Sequence, residues 1–201
     1  MITIIDYGVG NIKAFANVFD RINVDYKIAS NISTLREAKK LIFPGVGSFD
    51  SAMTLLNKSG IRDHLEKLVI SEKVPILGIC VGMQMFGKRS EEGKLEGLGW
   101  IDADVVKFPL HKNFPVPHMG WNNLINFKDH KILYGLNEQS LFYFLHSFYF
   151  KSNNRSNVLS DSEYGIEFNS VVFNNNIFGV QFHPEKSHSA GTQLLVNFNK
   201  V

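Results

Sequence analysis

The sequence predicts an α/β protein, with a mostly parallel central sheet flanked by helices and an antiparallel β extension. Three observations carry this. Short apolar runs alternate with helical patterns through about residue 98, and strands separated by helices pair in parallel through right-handed crossovers. Beyond Leu98 the pattern changes to short β-rich pieces with few helical signals. The chain then closes on a helical stretch over 189–199, with Leu194, Leu195 and Phe198 on one face.

Each element follows from local pattern. Residues 2–6 form a short apolar strand, and a glycine turn leads into a helix over about 11–21. Strands are expected at 24–29 and 40–43, with Ser33 as the N-cap of a short helix between them. Ile61, Leu65, Leu68 and Val69 fall at helical spacing and give one apolar face. Pro75 opens a strand that runs into Cys80. Further strands fit 100–108, 121–125, 142–150, 167–173 and 176–182, and 151–156 reads as an exposed loop. No repeat or linker interrupts the chain, so residues 1–201 are expected to form a single domain.

Composition narrows the function classes. Hydrophobic residues make up 44% and charged residues 20%, an ordinary globular balance. A net charge of +2 without runs of like charge argues against nucleic acid or an anionic membrane as partner. One cysteine rules out an internal disulfide framework and a cysteine-rich zinc site. The start, Met1-Ile-Thr-Ile-Ile-Asp-Tyr7, lacks the features of a signal peptide. The longest apolar stretch, 141–150, is interrupted by His146 and Ser147 and is too short to span a bilayer. The expected compartment is the cytoplasm.

The lone cysteine sits in Gly78-Ile-Cys-Val-Gly82, just after an apolar run. Strand, tight turn, nucleophile and helix is the arrangement of the nucleophile elbow, here with Cys80 as nucleophile. Gly78 and Gly82 are expected to leave room for the sharp turn. The helix that follows would point free N–H groups at the sulfur, a setting that favours the reactive thiolate. In Gln181-Phe-His-Pro-Glu185, Pro184 biases His183 toward extended backbone, so His183 and Glu185 would stand on one side. Cysteine, histidine and an acid are the parts of a thiol triad. The turn Pro44-Gly-Val-Gly47 follows a strand and can expose backbone N–H groups. One of these, at Val46, together with the N–H of Val81 would make an oxyanion hole.

These motifs resemble the class I (triad) glutamine amidotransferases. Gly78-Ile-Cys-Val-Gly-Met-Gln84 pairs with His183-Pro-Glu185, while Pro44-Gly-Val-Gly47, His118-Met-Gly-Trp-Asn122 and His146-Ser147 narrow the likeness. Within the family the resemblance is to glutaminase subunits that feed a histidine-pathway synthase, and it covers essentially the whole chain. It implies a flavodoxin-like sheet, Cys80, His183 and Glu185 as the catalytic triad, and no cofactor or metal. It also implies that Gly47, Gln84, His146 and Ser147 hold glutamine. The partner it implies is a (β/α)8-barrel cyclase/synthase subunit in a heterodimer, with Asn11, Trp121 and Lys186 at the interface. Val81 departs from the leucine usual in the family; its expected role is a backbone N–H, which the change leaves intact.

Other readings are weaker. Gly8-Val-Gly10 and Gly45-Val-Gly47 begin a dinucleotide fingerprint but have Lys13 and Asp50 where its third glycine belongs. The histidines show no metal-binding spacing. Trp100 and Trp121 are expected in the core rather than in a ligand box. Sequons such as those at Asn31 and Asn154 carry no meaning in a cytoplasmic chain. Three alternatives to the histidine-pathway role stand: a paralogous glutaminase serving sugar amidation in surface-polysaccharide synthesis, a non-catalytic scaffold, and a stand-alone cysteine hydrolase.

Overall fold

Strands and helices alternate through the first half: β1 (Ile2–Ile5), α1 (Ile12–Arg21), β2 (Tyr26–Ala29), α2 (Ile32–Leu35), β3 (Leu41–Gly45), α3 (Phe49–Lys58), α4 (Arg62–Glu66) and β4 (Ile76–Cys80). The computed structural model describes residues 1–110 and 112–201. After β4 comes the four-residue helix α5 (Val81–Gln84), then β5 (Arg89–Ser90), β6 (Ala103–Lys107), β7 (His118–Asn123), β8 (Leu141–His146), β9 (Phe148–Ser152), β10 (Val158–Glu163), β11 (Glu167–Asn174), β12 (Ile177–Val180) and the closing helix α6 (His188–Lys200).

The main sheet has the order β2-β1-β3-β4-β12-β11-β9-β6-β5, with β10 paired to β11. Its first half is parallel, β12 included, and antiparallel pairing begins where β11 meets β12. β7 and β8 form a separate two-stranded antiparallel ribbon. The sheet is therefore a parallel core with an antiparallel extension, as the alternation of patterns predicted. β1, β3, β4 and β12 are buried along their whole length, which is why they read as continuous apolar runs rather than alternating ones.

Several local expectations change. The N-cap of α2 is Asn31, not Ser33: its side chain accepts from Thr34 N while the Thr34 hydroxyl accepts from Asn31 N, the reciprocal pattern of a capping box. The run 142–150 is two strands, because the chain leaves the ribbon after His146 and re-enters the main sheet at Phe148. The loop expected at 151–156 starts later, since Lys151 and Ser152 still belong to β9. α3 and β10 had no counterpart in the sequence reading. The apolar face at Ile61, Leu65, Leu68 and Val69 is buried as expected, but α4 passes into a π-turn over Lys67–Ser71.

The glycines near Cys80 serve the packing between elements. A Cβ on Gly82 would lie 2.1 Å from the Phe43 carbonyl oxygen, and one on Gly45 would lie 2.1 Å from Gly82 N. The end of β3 thus meets the start of α5 backbone to backbone. A Cβ on Gly78 would strike the Phe86 ring at 2.5 Å. Beneath the turn runs an aromatic stack from Tyr7 to Phe43 to Phe86 to Trp100, with centroid spacings of 5.0, 5.8 and 5.2 Å. Such pairs add about 0.5–1.5 kcal/mol each beyond area burial. Gly82→Ala should therefore lower stability by about 3 kcal/mol, read as the urea midpoint, because backbone cannot yield as a side chain would. A midpoint like that of the unsubstituted protein would contradict the close approach.

Candidate active site

Cys80 ends β4 and serves as the N-cap of α5 with φ +54° and ψ −113°. That left-handed backbone is strained for a residue with a Cβ, and strain of this kind gathers at functional turns. Here it is held by the β3 and β12 registers, which place Gly45 opposite Cys80 and Val180 opposite Ile79. α5 spans only Val81–Gln84, so its contribution at the sulfur is the free N–H groups of one turn rather than a long helix dipole.

His183 lies just past β12, and its N–H donates to the Tyr143 carbonyl at 2.9 Å. Its Nδ1 lies 2.9 Å from Glu185 Oε1, with both side chains buried. The sequence expectation was two residues on one side of an extended segment. Instead Pro184–Lys186 forms a 3₁₀ turn that folds Glu185 back onto the ring. Ser187 Oγ locks this turn, donating to the His183 carbonyl at 2.6 Å and accepting from Tyr143 N at 2.9 Å. Burial alone would lower the His183 pKa, but hydrogen bonds with Cys80 and Glu185, with the electrostatic attraction of both, override it and push it up to about 10. A charged ring between a sulfur and a carboxylate can deliver a proton to a leaving group.

Cys80, His183, Gln84, His146, Ser147 and Gly47 line one cavity of about 320 Å³. Val46, Val81, Lys186 and Glu92 line it as well. A larger groove of about 740 Å³ lies beside Trp121 and the start of α6, lined by Ser140, Ser187, His188 and Ser189 but not by Cys80 or His183. Glu185 stands behind His183, outside the cavity lining. Asn11 occupies the N-cap position of α1 without a side-chain capping bond and does not line the cavity. Trp121 is not core: it is 47% exposed and stacks on His188 at 5.0 Å, whereas Trp100 is buried. Among the described residues no group of three His, Cys, Asp or Glu is placed to hold a metal ion, and no helix is long and apolar enough to cross a membrane.

Four residues that the motifs did not single out for a role also belong to the site. Gln181 Nε2 lies 3.7 Å from the Cys80 sulfur, and its Oε1 accepts from Gln84 Nε2 at 3.1 Å. Tyr7 donates to the Pro44 carbonyl at 2.8 Å, and burial, then the nearby Cys80 charge, raise its pKa. Glu92 accepts from Phe49 N at 2.7 Å at the cavity rim. His118 Nδ1 lies 3.1 Å from His146 Nε2. Burial lowers the His118 pKa to about 4, and burial plus electrostatic repulsion from the His118 and His183 rings lowers that of His146 to about 3, against the raising effect of the bond it donates to the Phe148 carbonyl.

Stability against pH follows from these signs. Below the ordinary histidine value of 6.5 the unfolded chain binds protons that His118 and His146 refuse, so stability falls toward pH 4. The slope is roughly 1.4 kcal/mol per histidine per pH unit. His183 has the opposite sign: its contribution is full below 6.5 and is lost as pH rises toward about 10. Urea midpoints measured across this range should peak near pH 6.5 and fall on both flanks. A midpoint constant between pH 5 and 7 would contradict the neutral pair.

The model of the family described as "Glutamine amidotransferase class-I" matches residues 3–201. The imidazole glycerol phosphate synthase subunit HisH of Bdellovibrio bacteriovorus is 48% identical, covering all of both chains. HisH of Leptospira interrogans is 49% identical over 98% of each chain. HisH 2 of Methanococcus maripaludis is 49% identical over 100% of this chain and 99% of its own. Among solved structures, PurLQS from Thermotoga maritima superposes with a TM-score of 0.76 at 15% identity, over 99% of this chain and 97% of that one, a likeness of fold alone. With its sheet order, its elbow cysteine and these full-length matches, the chain belongs to the class I glutamine amidotransferases.

Proposed function

We propose that residues 1–201 form one glutaminase domain, the glutaminase subunit of imidazole glycerol phosphate synthase in histidine biosynthesis, working in the cytoplasm. The observation that carries this is the convergence of Cys80, His183 and the Glu185 behind it on one cavity, in a chain with full-length HisH relatives. Cys80 Sγ attacks the side-chain amide carbon of glutamine to give a tetrahedral oxyanion. His183 protonates the nitrogen as the C–N bond breaks, leaving a thioester and ammonia. Water, deprotonated by His183, then splits the thioester to glutamate and the free thiol. Glu185 holds the imidazole in the productive orientation throughout.

Backbone N–H groups at Val46 and Val81 would take the oxyanion. Gly47, Gln84, His146 and Ser147 would hold the glutamine backbone, with the Glu92 carboxylate receiving its α-ammonium group. Tyr7 anchors the Pro44 carbonyl, while Gly47 has φ +84° and open space where a Cβ would stand. The peptide beyond the anchor is therefore free to turn, and this turn is the switch that a partner would set. The partner is a (β/α)8-barrel cyclase subunit that consumes the ammonia. It docks on the outer face of the β7–β8 ribbon, where Met119, Trp121 and Leu145 are exposed, with Asn11 and Lys186 at the rim.

Cys80→Ala should cut glutamine-dependent synthesis by the complex at least about 1,000-fold while ammonia-dependent synthesis persists. Retained glutaminase in that variant would sink the assignment. Glu185→Gln should be milder than His183→Ala, since an amide still orients the ring. The purified single chain should release glutamate about 100- to 1,000-fold more slowly than the complex, the worth of one oxyanion donor. Equal rates would refute gating by the partner.

A further inference from the structure

The inner face of the ribbon carries a chain of hydrogen bonds whose direction is fixed. Phe148's carbonyl can only accept, so His146 Nδ1, 2.9 Å away, carries a proton and donates to it. In the neutral ring, His146 Nε2 is then an acceptor, and His118 Nδ1 donates to it at 3.1 Å. His118 Nε2 accepts in turn from Asn122 Nδ2 at 3.4 Å, and that amide also donates to the Glu163 carbonyl at 2.8 Å. The His118 ring is clamped between Phe144 and Tyr164, at centroid distances of 4.8 and 4.1 Å. Phe148's carbonyl receives a second bond, from Gln84 Nε2 at 2.9 Å. The chain thus ends on the segment 146–148, where the backbone crosses from ribbon to main sheet and lines the cavity.

We propose that His118 is a positioning residue for glutamine recognition, holding the 146–148 wall through this one-way chain from Asn122 to Phe148. The proposal deepens the glutaminase reading and rests on it. Docking would reach the wall by the same route, because His118 and Asn122 alternate along β7 with Met119 and Trp121 on its outer face. Cys80, Val81 and His183 stand on other elements, so loss of the chain should weaken glutamine binding more than the chemical step. A scaffold role without positioning would lower stability or the active fraction and leave KM alone.

The test uses the assembled complex for kinetics and the full chain for spectroscopy. Two-bond nitrogen–proton correlation spectra should show Nδ1 protonated on both His118 and His146 at neutral pH; Nε2 protonation at His146 overturns the chain. His118→Phe keeps a ring in the clamp but leaves His146 Nε2 without its donor. Its glutamine KM should rise about tenfold with kcat changed by less than about threefold. His118→Asn, whose amide can donate from the Nδ1 position, should recover most of the loss. A KM in His118→Phe within about twofold of the unsubstituted value, or no recovery in a folded His118→Asn, overturns the positioning role. If His118→Phe fails to fold, His118→Asn and the spectra still decide. Absence of glutamine turnover in the unsubstituted complex, with the spectra as expected, defeats the glutaminase reading and leaves the direction of the chain standing.

Discussion

The pairing of β12 with β4 is the constraint on which the site depends. These strands lie about a hundred residues apart in sequence and run parallel, with Ile177 opposite Ile76 and Val180 opposite Ile79. Side chains alternate along a strand, so a slip of one residue would turn Gln181 away from Cys80 and carry His183 out of reach. The register cannot drift, because both strands bury every residue. The same pairing joins the two halves of the sheet: β4 is the last strand of the alternating α/β half, and β12 is the antiparallel neighbour of β11. The Cys80 cavity therefore lies at the carboxyl end of β4, the side on which open α/β folds place their ligands.

The ribbon outside that seam is built from one pattern used twice. His118, Phe142, Phe144 and His146 point inward, while Met119, Trp121, Leu141 and Leu145 face outward. An apolar outer face on a two-stranded ribbon is costly in water, and such a patch marks a surface meant for a partner. The inner face is costly in another way. Two histidines buried together can stay only as neutral rings with every nitrogen satisfied, which ties each proton to one position. One face leaves apolar side chains in water, and the other holds the backbone between His146 and Phe148 that lines the Cys80 cavity.

Much of this could be read from residues alone, and the failures have physical causes. The elbow, the histidine and the acid were legible because each needs particular residue types at particular spacings. α3 is written in the residues themselves: Ser48 caps it, and Phe49, Ala52, Met53 and Leu56 repeat at helical spacing. β10 had no such signal. It buries Ser160, Asp161 and Ser162, and Asp161 is kept as an ion by Arg155 with Asn126 and Asn169, a tertiary arrangement that strand propensity does not carry. The break at Ser147 falls at the polar pair His146-Ser147, but the apolar residues on both sides read as one strand. Gln181 and His118 sit within the motifs, but their contacts are with neighbours about thirty to a hundred residues away. The reason for Gly82 lay equally far off, in the Phe43 carbonyl.

The two tryptophans differ in a way that makes the chain its own reporter. Trp100 ends a buried aromatic stack and is 7% exposed, while Trp121 is half in water, face to face with the His188 ring. The buried indole emits at shorter wavelength and is insensitive to events at the surface. An indole half in water emits further to the red, and an imidazole stacked on it is a contact quencher. Anything that covers the ribbon shifts and brightens only the second component. Association can thus be followed by intrinsic fluorescence without a label, against an internal standard that reports whether the fold beneath the elbow is intact.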